Sequence, residues 1–110
     1  MRRVWGVGIA AVVTLALVSC SGGTTQRVNV AAAADLRYAL NEIIALAQDA
    51  NPETEFAVTY GSSGQFLQQI VNGAPFDLYL SADEAFPQQL VDEGLATDPF
   101  PYAIGRRVLW

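Results

Sequence analysis

Val28-Asn29-Val30-Ala31-Ala32-Ala33-Ala34 is apolar and short, as a strand buried on both faces is. The period changes where it ends. Leu36, Leu40, Ile43, Ile44 and Ala47 recur at helical spacing, with Arg37, Asn41, Glu42 and Gln48 on the opposite side. Asp35 stands where an N-cap is expected, and Asn51-Pro52 supplies the stop. One strand running into one amphipathic helix is the unit from which the rest of the chain is read.

The unit repeats toward the C-terminus. Phe56-Ala57-Val58-Thr59-Tyr60 reads as a second strand, rich in β-branched and aromatic residues. Gly61-Ser62-Ser63-Gly64 is a turn, and Phe66, Leu67, Ile70 and Val71 form a short amphipathic helix that Gly73-Ala74-Pro75 ends. Phe76-Asp77-Leu78-Tyr79-Leu80 is expected as a third strand. Ser81-Ala82-Asp83-Glu84 has the spacing of a capping box, ahead of a helix with Phe86, Leu90 and Val91 on its apolar side and Gly94 at its end. Asp98-Pro99-Phe100-Pro101 is irregular. Arg106-Arg107-Val108-Leu109-Trp110 resembles the opening of a further strand, and such an apolar ending is expected of a piece of a longer α/β protein. Strand and helix alternating three times predict an α/β fold with a parallel sheet.

Toward the N-terminus the reading is of an address. Arg2 and Arg3 precede Val4 to Val18, fifteen residues without a charge, a length that suits a signal peptide better than a membrane span. The run closes on Leu17-Val18-Ser19-Cys20, the pattern of a bacterial lipoprotein signal, and Cys20 is the chain's one cysteine. We therefore expect residues 1–19 to be a signal peptide, Cys20 to be the lipidated residue, 20–26 to be a short tether, and 27–110 to form the folded part. Lipid on Cys20 would hold that part at a membrane surface facing the periplasm or cell exterior.

Composition narrows the chemistry. The 110 residues carry six basic and eleven acidic side chains, a net charge of −5. Arg2 and Arg3 belong to the leader, so the remainder has four basic residues against eleven acidic ones, with no lysine and no histidine. Nucleic-acid binding, which needs a basic face, is not expected. Histidine-based catalysis and histidine metal sites are excluded, and one cysteine rules out an internal disulfide framework.

In an open α/β sheet ligands bind beyond the carboxyl ends of the strands. Three turns lie there: Ala33-Ala34-Asp35, Gly61-Ser62-Ser63-Gly64 and Ser81-Ala82-Asp83. The second joins two hydroxyls and two glycines at a helix start, where backbone N–H groups and the helix dipole favour an anion. Ser63 is the expected N-cap and hydroxyl donor, with Ser62 and Gly64 offering backbone groups. By its local chemistry alone the turn reads more readily as a plain capped helix.

The order Val30-Ala31-Ala32-Ala33-Ala34-Asp35-Leu36, Tyr60-Gly61-Ser62-Ser63-Gly64, Ile70-Val71-Asn72-Gly73-Ala74-Pro75-Phe76-Asp77 and Ser81-Ala82-Asp83-Glu84 resembles the periplasmic molybdate-binding proteins of ABC importers. The resemblance spans Val28 to Trp110. It implies a periplasmic-binding-protein-like parallel sheet flanked by helices, half of a two-lobed fold that closes on its ligand. It implies a tetrahedral oxyanion, molybdate or tungstate, held by hydrogen bonds without counter-charges and passed to an ABC importer permease. No cofactor and no cation ligands are implied. The anion-contacting serine of the family falls on Ser63. The family's Ser or Asn at the close of its A-A-A-x-L motif falls on Asp35, a departure, since a carboxylate repels a dianion by about 1 kcal/mol or more at contact in a wet site. Asp35 is then expected to cap its helix and offer only its N–H; a match shifted by one position places Ala34 there, with a backbone group alone. The family's remaining contacts fall beyond Trp110.

Other candidates read more plainly. Paired carboxylates can serve acid/base chemistry or Ca²⁺, but Asp83-Glu84 opens a helix, where negative charge is favourable anyway, and Asp92-Glu93 ends one, where solvent is expected. Asp77 is expected to hydrogen-bond at a strand edge, Tyr60, Tyr79, Phe66 and Phe76 to pack in the core, and Arg106-Arg107 to be exposed. Two further readings of the whole chain stand beside the binding protein. One is an enzyme using a serine of the turn as nucleophile, which lacks an activating base in this chain. The other is a fragment of the family that binds nothing.

Overall fold

The computed structural model describes residues 22–106 and 109. Residues 1–21, Cys20 among them, and the end of the chain at 107, 108 and 110 lie outside the described residues, and with them the expectations for a signal peptide, for lipidation and for the start of a further strand.

Three parallel strands form the sheet in the order β2-β1-β3, where β1 is Gln26–Ala33, β2 is Thr54–Gly61 and β3 is Leu78–Leu80. Helix α1, Arg37–Ala50, links β1 to β2; α2, Ser63–Val71, links β2 to β3; and α3, Ala85–Asp92, follows β3. This is the expected α/β arrangement. Val30, Ala31, Ala32 and Ala33 of β1 are buried, because strands flank them on both edges and side chains cover both faces. Their small size lets the helices approach the sheet. Val30, Ala32 and Leu40 make the centre of the core, joined by Val28, Leu36, Ile44, Val58, Tyr60 and Leu80. Phe66 and Leu67 of α2 and Leu90 of α3 are also buried, and Phe66 meets Phe76 edge to face at a centroid distance of 5.5 Å.

Several local expectations are corrected. The first strand begins at Gln26, whose N–H donates to the Glu53 carbonyl at 3.0 Å, so Gln26 belongs to the sheet and not to a tether. The third strand is only Leu78–Leu80. Asp77 lies just before it, and its backbone N–H donates to the Asn29 carbonyl while its carboxylate accepts the Asn29 N–H, each at 2.8 Å. The hydrogen-bonding role expected of Asp77 therefore stands, with its position moved out of the strand. Ile43, expected on the apolar face of the first helix, is 57% exposed. Leu40 and Ile44 point at the sheet, while Ile43 lies at the rim of an apolar cleft of about 290 Å³ with Leu36, Leu78, Leu80 and Tyr102.

Helices α2 and α3 end alike. Gly73 donates to Ile70 O and Ala74 to Gln69 O, both at 2.9 Å; Gly94 donates to Val91 O at 2.9 Å and Leu95 to Leu90 O at 2.8 Å. These are Schellman closures, and they need the left-handed φ of +92° at Gly73 and +73° at Gly94. Pro87 sits in the first turn of α3, where its missing N–H leaves no acceptor unserved.

Candidate functional site

The register of the sheet brings the three turns together. Ala33 pairs with Gly61 and Ala32 with Leu80, so Ala34, Ser62 and Ser81 leave the same edge from adjacent strands. Neighbouring strands stand about 4.8 Å apart, which makes the turns one contiguous rim. Among them the turn at Gly61 has a steric reason for its glycine. A Cβ on Gly61 would meet the Phe66 ring at 3.0 and 3.2 Å, whereas one on Gly64 would find ordinary contact with Phe86 at 3.6 Å.

Ser63 is half-buried and tied to the third turn. Its Oγ accepts the Ala82 N–H at 3.0 Å, and its carbonyl accepts the Tyr79 hydroxyl at 2.6 Å. It is not the N-cap of its helix. Ser62 holds that position in extended conformation, φ −76° and ψ 130°, with no side-chain cap bond, and its carbonyl accepts the Phe66 N–H at 3.1 Å. The displacement follows from a shorter turn than expected: β2 runs to Gly61 and α2 starts at Ser63, leaving Ser62 alone between strand and helix. The Ser63 hydroxyl is thereby released from capping and reaches across to the neighbouring turn. Having accepted one hydrogen bond, it retains its proton for donation. The N–H groups of Ser63 and Gly64 lie in the first turn of α2, which has no acceptors of its own for them.

Asp35 does not cap a helix either. The chain enters a 3-10 turn, Ala34–Leu36, directly from Ala33, and α1 starts at Arg37 with Leu36 at its N-cap and no side-chain cap bond. Asp35 lies inside that turn, exposed, one residue ahead of the α1 N-cap Leu36. Ala34 is exposed as well.

The third turn forms no Ser81–Glu84 capping box. Ser81 Oγ accepts the Asp83 N–H at 3.1 Å, and Asp83 Oδ1 accepts the Ala85 N–H at 2.7 Å. Each side chain is satisfied two residues ahead, a local competition that wins over the longer reach of the box. Glu84 is the N-cap of α3 with no side-chain bond. Asp92 accepts from Gln88 at 3.0 Å and Glu93 from Gln89 at 2.9 Å, so both members of the second acidic pair serve their own helix. Among the described residues no three acidic or cysteine side chains are placed to hold a metal ion.

Two residues at this rim carry no sequence signal. Ala82 acts through its backbone, which any residue possesses. Tyr102 lies in a stretch without periodicity, yet its hydroxyl donates to the Ser81 carbonyl at 2.9 Å. Burial, and secondarily the negative charge of Asp35, push the Tyr102 phenol up from 10.0. Tyr79 is likewise pushed up, by burial first and by the Asp83 charge to a lesser degree, with a Ser81 hydrogen bond opposing. Tyr60 is half-buried, with its hydroxyl 2.6 Å from Asn41 Oδ1 and the Arg37 guanidinium 4.7 Å over its ring. Arg27 faces Glu55 at 3.6 Å on the far side of the sheet's entry.

A rim of hydroxyls and amides at the carboxyl edge of a β2-β1-β3 sheet is the frame on which comparison with known proteins turns. Residues 28–110 match the family described as bacterial extracellular solute-binding protein. The chain belongs to that family. Over 112 aligned residues it is 41% identical to the molybdate-binding protein ModA of Rhodobacter capsulatus, covering 98% of this chain and 42% of that one. It is 37% identical to the molybdate-binding protein ModA of Azotobacter vinelandii, covering 86% of this chain and 37% of that one. Its structure is similar to a substrate-binding domain assigned to a molybdenum ABC transporter of Clostridium difficile, with a TM-score of 0.59 and 36% identity, covering 61% of this chain and 29% of that one. The chain thus spans about two fifths of the length of these curated relatives. Among solute-binding proteins the described residues correspond to one parallel sheet with its helices, as the resemblance in sequence implies.

Proposed function

We propose that this solute-binding protein chain carries part of an oxyanion site for molybdate or tungstate, outside the cytoplasm, in the service of an ABC importer. The observation that carries the reading is Ser63, whose hydroxyl accepts from Ala82 and so presents its proton at the rim shared by the three turns. A dianion there would be met by the Ser63 O–H and by the N–H groups of Ser63 and Gly64, with Ser62 and Ala34 as further backbone contributors. Asp35 would contribute through its N–H, since its exposed carboxylate opposes the charge of the ligand. Binding by neutral donors suits a chain with no lysine and no histidine. It also favours a large tetrahedral dianion, which spreads its charge over four oxygens that each accept. The names of the relatives support molybdate; tungstate follows from its like charge and shape. The leader and Cys20 support export and a lipid anchor at the membrane face.

The test is thermal unfolding of the chain with molybdate, tungstate, sulfate or phosphate added in turn. A ligand at one hundred times its dissociation constant stabilises by about 2.7 kcal/mol, well above what a melt resolves. Stabilisation by molybdate and tungstate is expected. A folded chain whose melt moves with none of the four anions would overturn the reading.

A further inference from the structure

Tyr102 stands outside the three turns in sequence and touches the third of them in space. Its ring lies in the apolar cleft with Leu36, Leu78 and Leu80, and its hydroxyl donates to the Ser81 carbonyl at 2.9 Å. The peptide group that owns this carbonyl also owns the Ala82 N–H, which donates to Ser63 Oγ at 3.0 Å. One peptide plane therefore receives a hydrogen bond at its oxygen and gives one at its nitrogen. Hydrogen bonds at the two ends of a peptide polarise it in the same sense, and each strengthens the other. The far end of the chain is the hydroxyl assigned above to the anion.

We propose that Tyr102 is a positioning residue for the oxyanion site, fixing the Ser81–Ala82 peptide so that the Ser63 hydroxyl is held as a donor toward the ligand. The inference rests on the oxyanion reading of Ser63. It adds a residue some forty positions away in sequence that does not touch the ligand. The relay has a direction. Tyr102 O–H gives to Ser81 C=O, Ala82 N–H gives to Ser63 Oγ, and Ser63 O–H is left to give to the anion. The direction at Ser63 is fixed because the Ala82 N–H can only donate, so the Ser63 proton is not spent on that bond. The Tyr102 phenol, ordinarily near 10.0 and pushed up by burial and the Asp35 charge, carries its proton at neutral pH, so its donor is present there. The side chain, 46% exposed, lines the same cleft as Leu36 and Leu80, and the bond to Ser81 sets where its hydroxyl points.

The experiment uses the chain, Tyr102→Phe, Ser63→Ala and the double variant, with sodium molybdate as the probe. Tyr102→Phe keeps the ring in its cleft and removes only the hydroxyl. In the ligand-free protein the Ala82 amide proton resonance is expected to move upfield in Tyr102→Phe, as its hydrogen bond to Ser63 weakens. Molybdate affinity is expected to fall about fivefold, the ratio that loss of one ordinary hydrogen bond corresponds to. In the Ser63→Ala background, adding Tyr102→Phe is expected to cost nothing more, since the relay no longer ends on a donor. A merely structural role would leave the two effects additive. An unmoved Ala82 resonance, equal affinity of Tyr102→Phe and parent, or additive losses each overturn the relay while leaving the oxyanion reading intact. A parent chain that binds no molybdate overturns that reading, and the relay's function with it.

Discussion

Ser63 shows how one residue is drawn from a local task into a tertiary one. Its hydroxyl and carbonyl are both engaged by residues at least sixteen positions away, Ala82 and Tyr79, and neither bond exists without the parallel sheet. Gly61 is the steric counterpart. A methyl group there would press on the Phe66 ring at 3.0 Å, and that ring is buried against Phe76. Gly61→Ala is therefore expected to destabilise the fold by about 1–3 kcal/mol, read as a lowered urea midpoint with unchanged slope. Asp35 acts through its charge. It helps hold the Tyr102 phenol above 10.0, and a raised phenol pKa means that the folded state keeps its proton longer than the unfolded chain. That contribution to stability is full below the unfolded value and is lost as pH rises through the folded one. Asp35→Asn is expected to lower the Tyr102 titration midpoint, followed by phenolate absorbance. It is also expected to hold or raise molybdate affinity, because a like charge leaves the rim; a loss of affinity would give the carboxylate a positive role.

At the scale of the elements, α2 and α3 are closed by glycine more firmly than they are opened by the side chains of their N-cap residues. None of α1, α2 and α3 has a hydrogen bond from the side chain of its N-cap residue. Asp83 serves α3 from one position earlier. Open N-termini suit the side of the sheet that faces a ligand, because the first N–H groups stay available to it. At the other end, Gly73 and Gly94 sit at φ +92° and +73° with nothing within 4 Å of an added Cβ, so the cost of a side chain there is conformational alone. Gly73→Ala and Gly94→Ala are each expected to cost about 1–2 kcal/mol, measured by chemical denaturation. Because the strain is local, the two losses should add in the double variant.

At the scale of the molecule, charge distinguishes the proposed site from an ion-paired one. From Cys20 onward the chain carries four basic and eleven acidic side chains, so an approaching dianion meets net repulsion. Salt screens that repulsion over a distance of about 10 Å at 0.1 M. Molybdate affinity is therefore expected to rise or hold as sodium chloride increases from about 0.01 to about 0.15 M. Titration calorimetry at several salt concentrations checks this, and a steep fall would place a cation in the site. The cleft bounded by Leu36, Ile43, Leu78 and Tyr102 belongs to the same scale. Ile43, 57% exposed, lines it beside the three-residue strand β3.

Period and composition, which are properties of the chain alone, determined most of the architecture. Valine and alanine from Val30 to Ala34 marked β1 as a buried strand, and helical spacing around Leu40, Phe66 and Leu90 located the three faces that are buried. The glycines that end α2 and α3 were legible because a left-handed residue is nearly always glycine. The choice of Ser63 in the turn was legible only through its resemblance to a family, since a serine at a helix start ordinarily caps it. Ends of elements were not legible. A strand longer by one residue moved the cap from Ser63 to Ser62, and a 3-10 turn moved Asp35 off the helix it was expected to open. What the tertiary structure alone decided is which turns meet. The pairing of Ala33 with Gly61 and of Ala32 with Leu80 places three separate turns on one rim, and only there do the Ala82 N–H and the Tyr102 hydroxyl acquire partners. A hydrogen bond between residues far apart in sequence leaves no period and no composition behind, because it depends on where two backbones lie and not on the order of side chains along either.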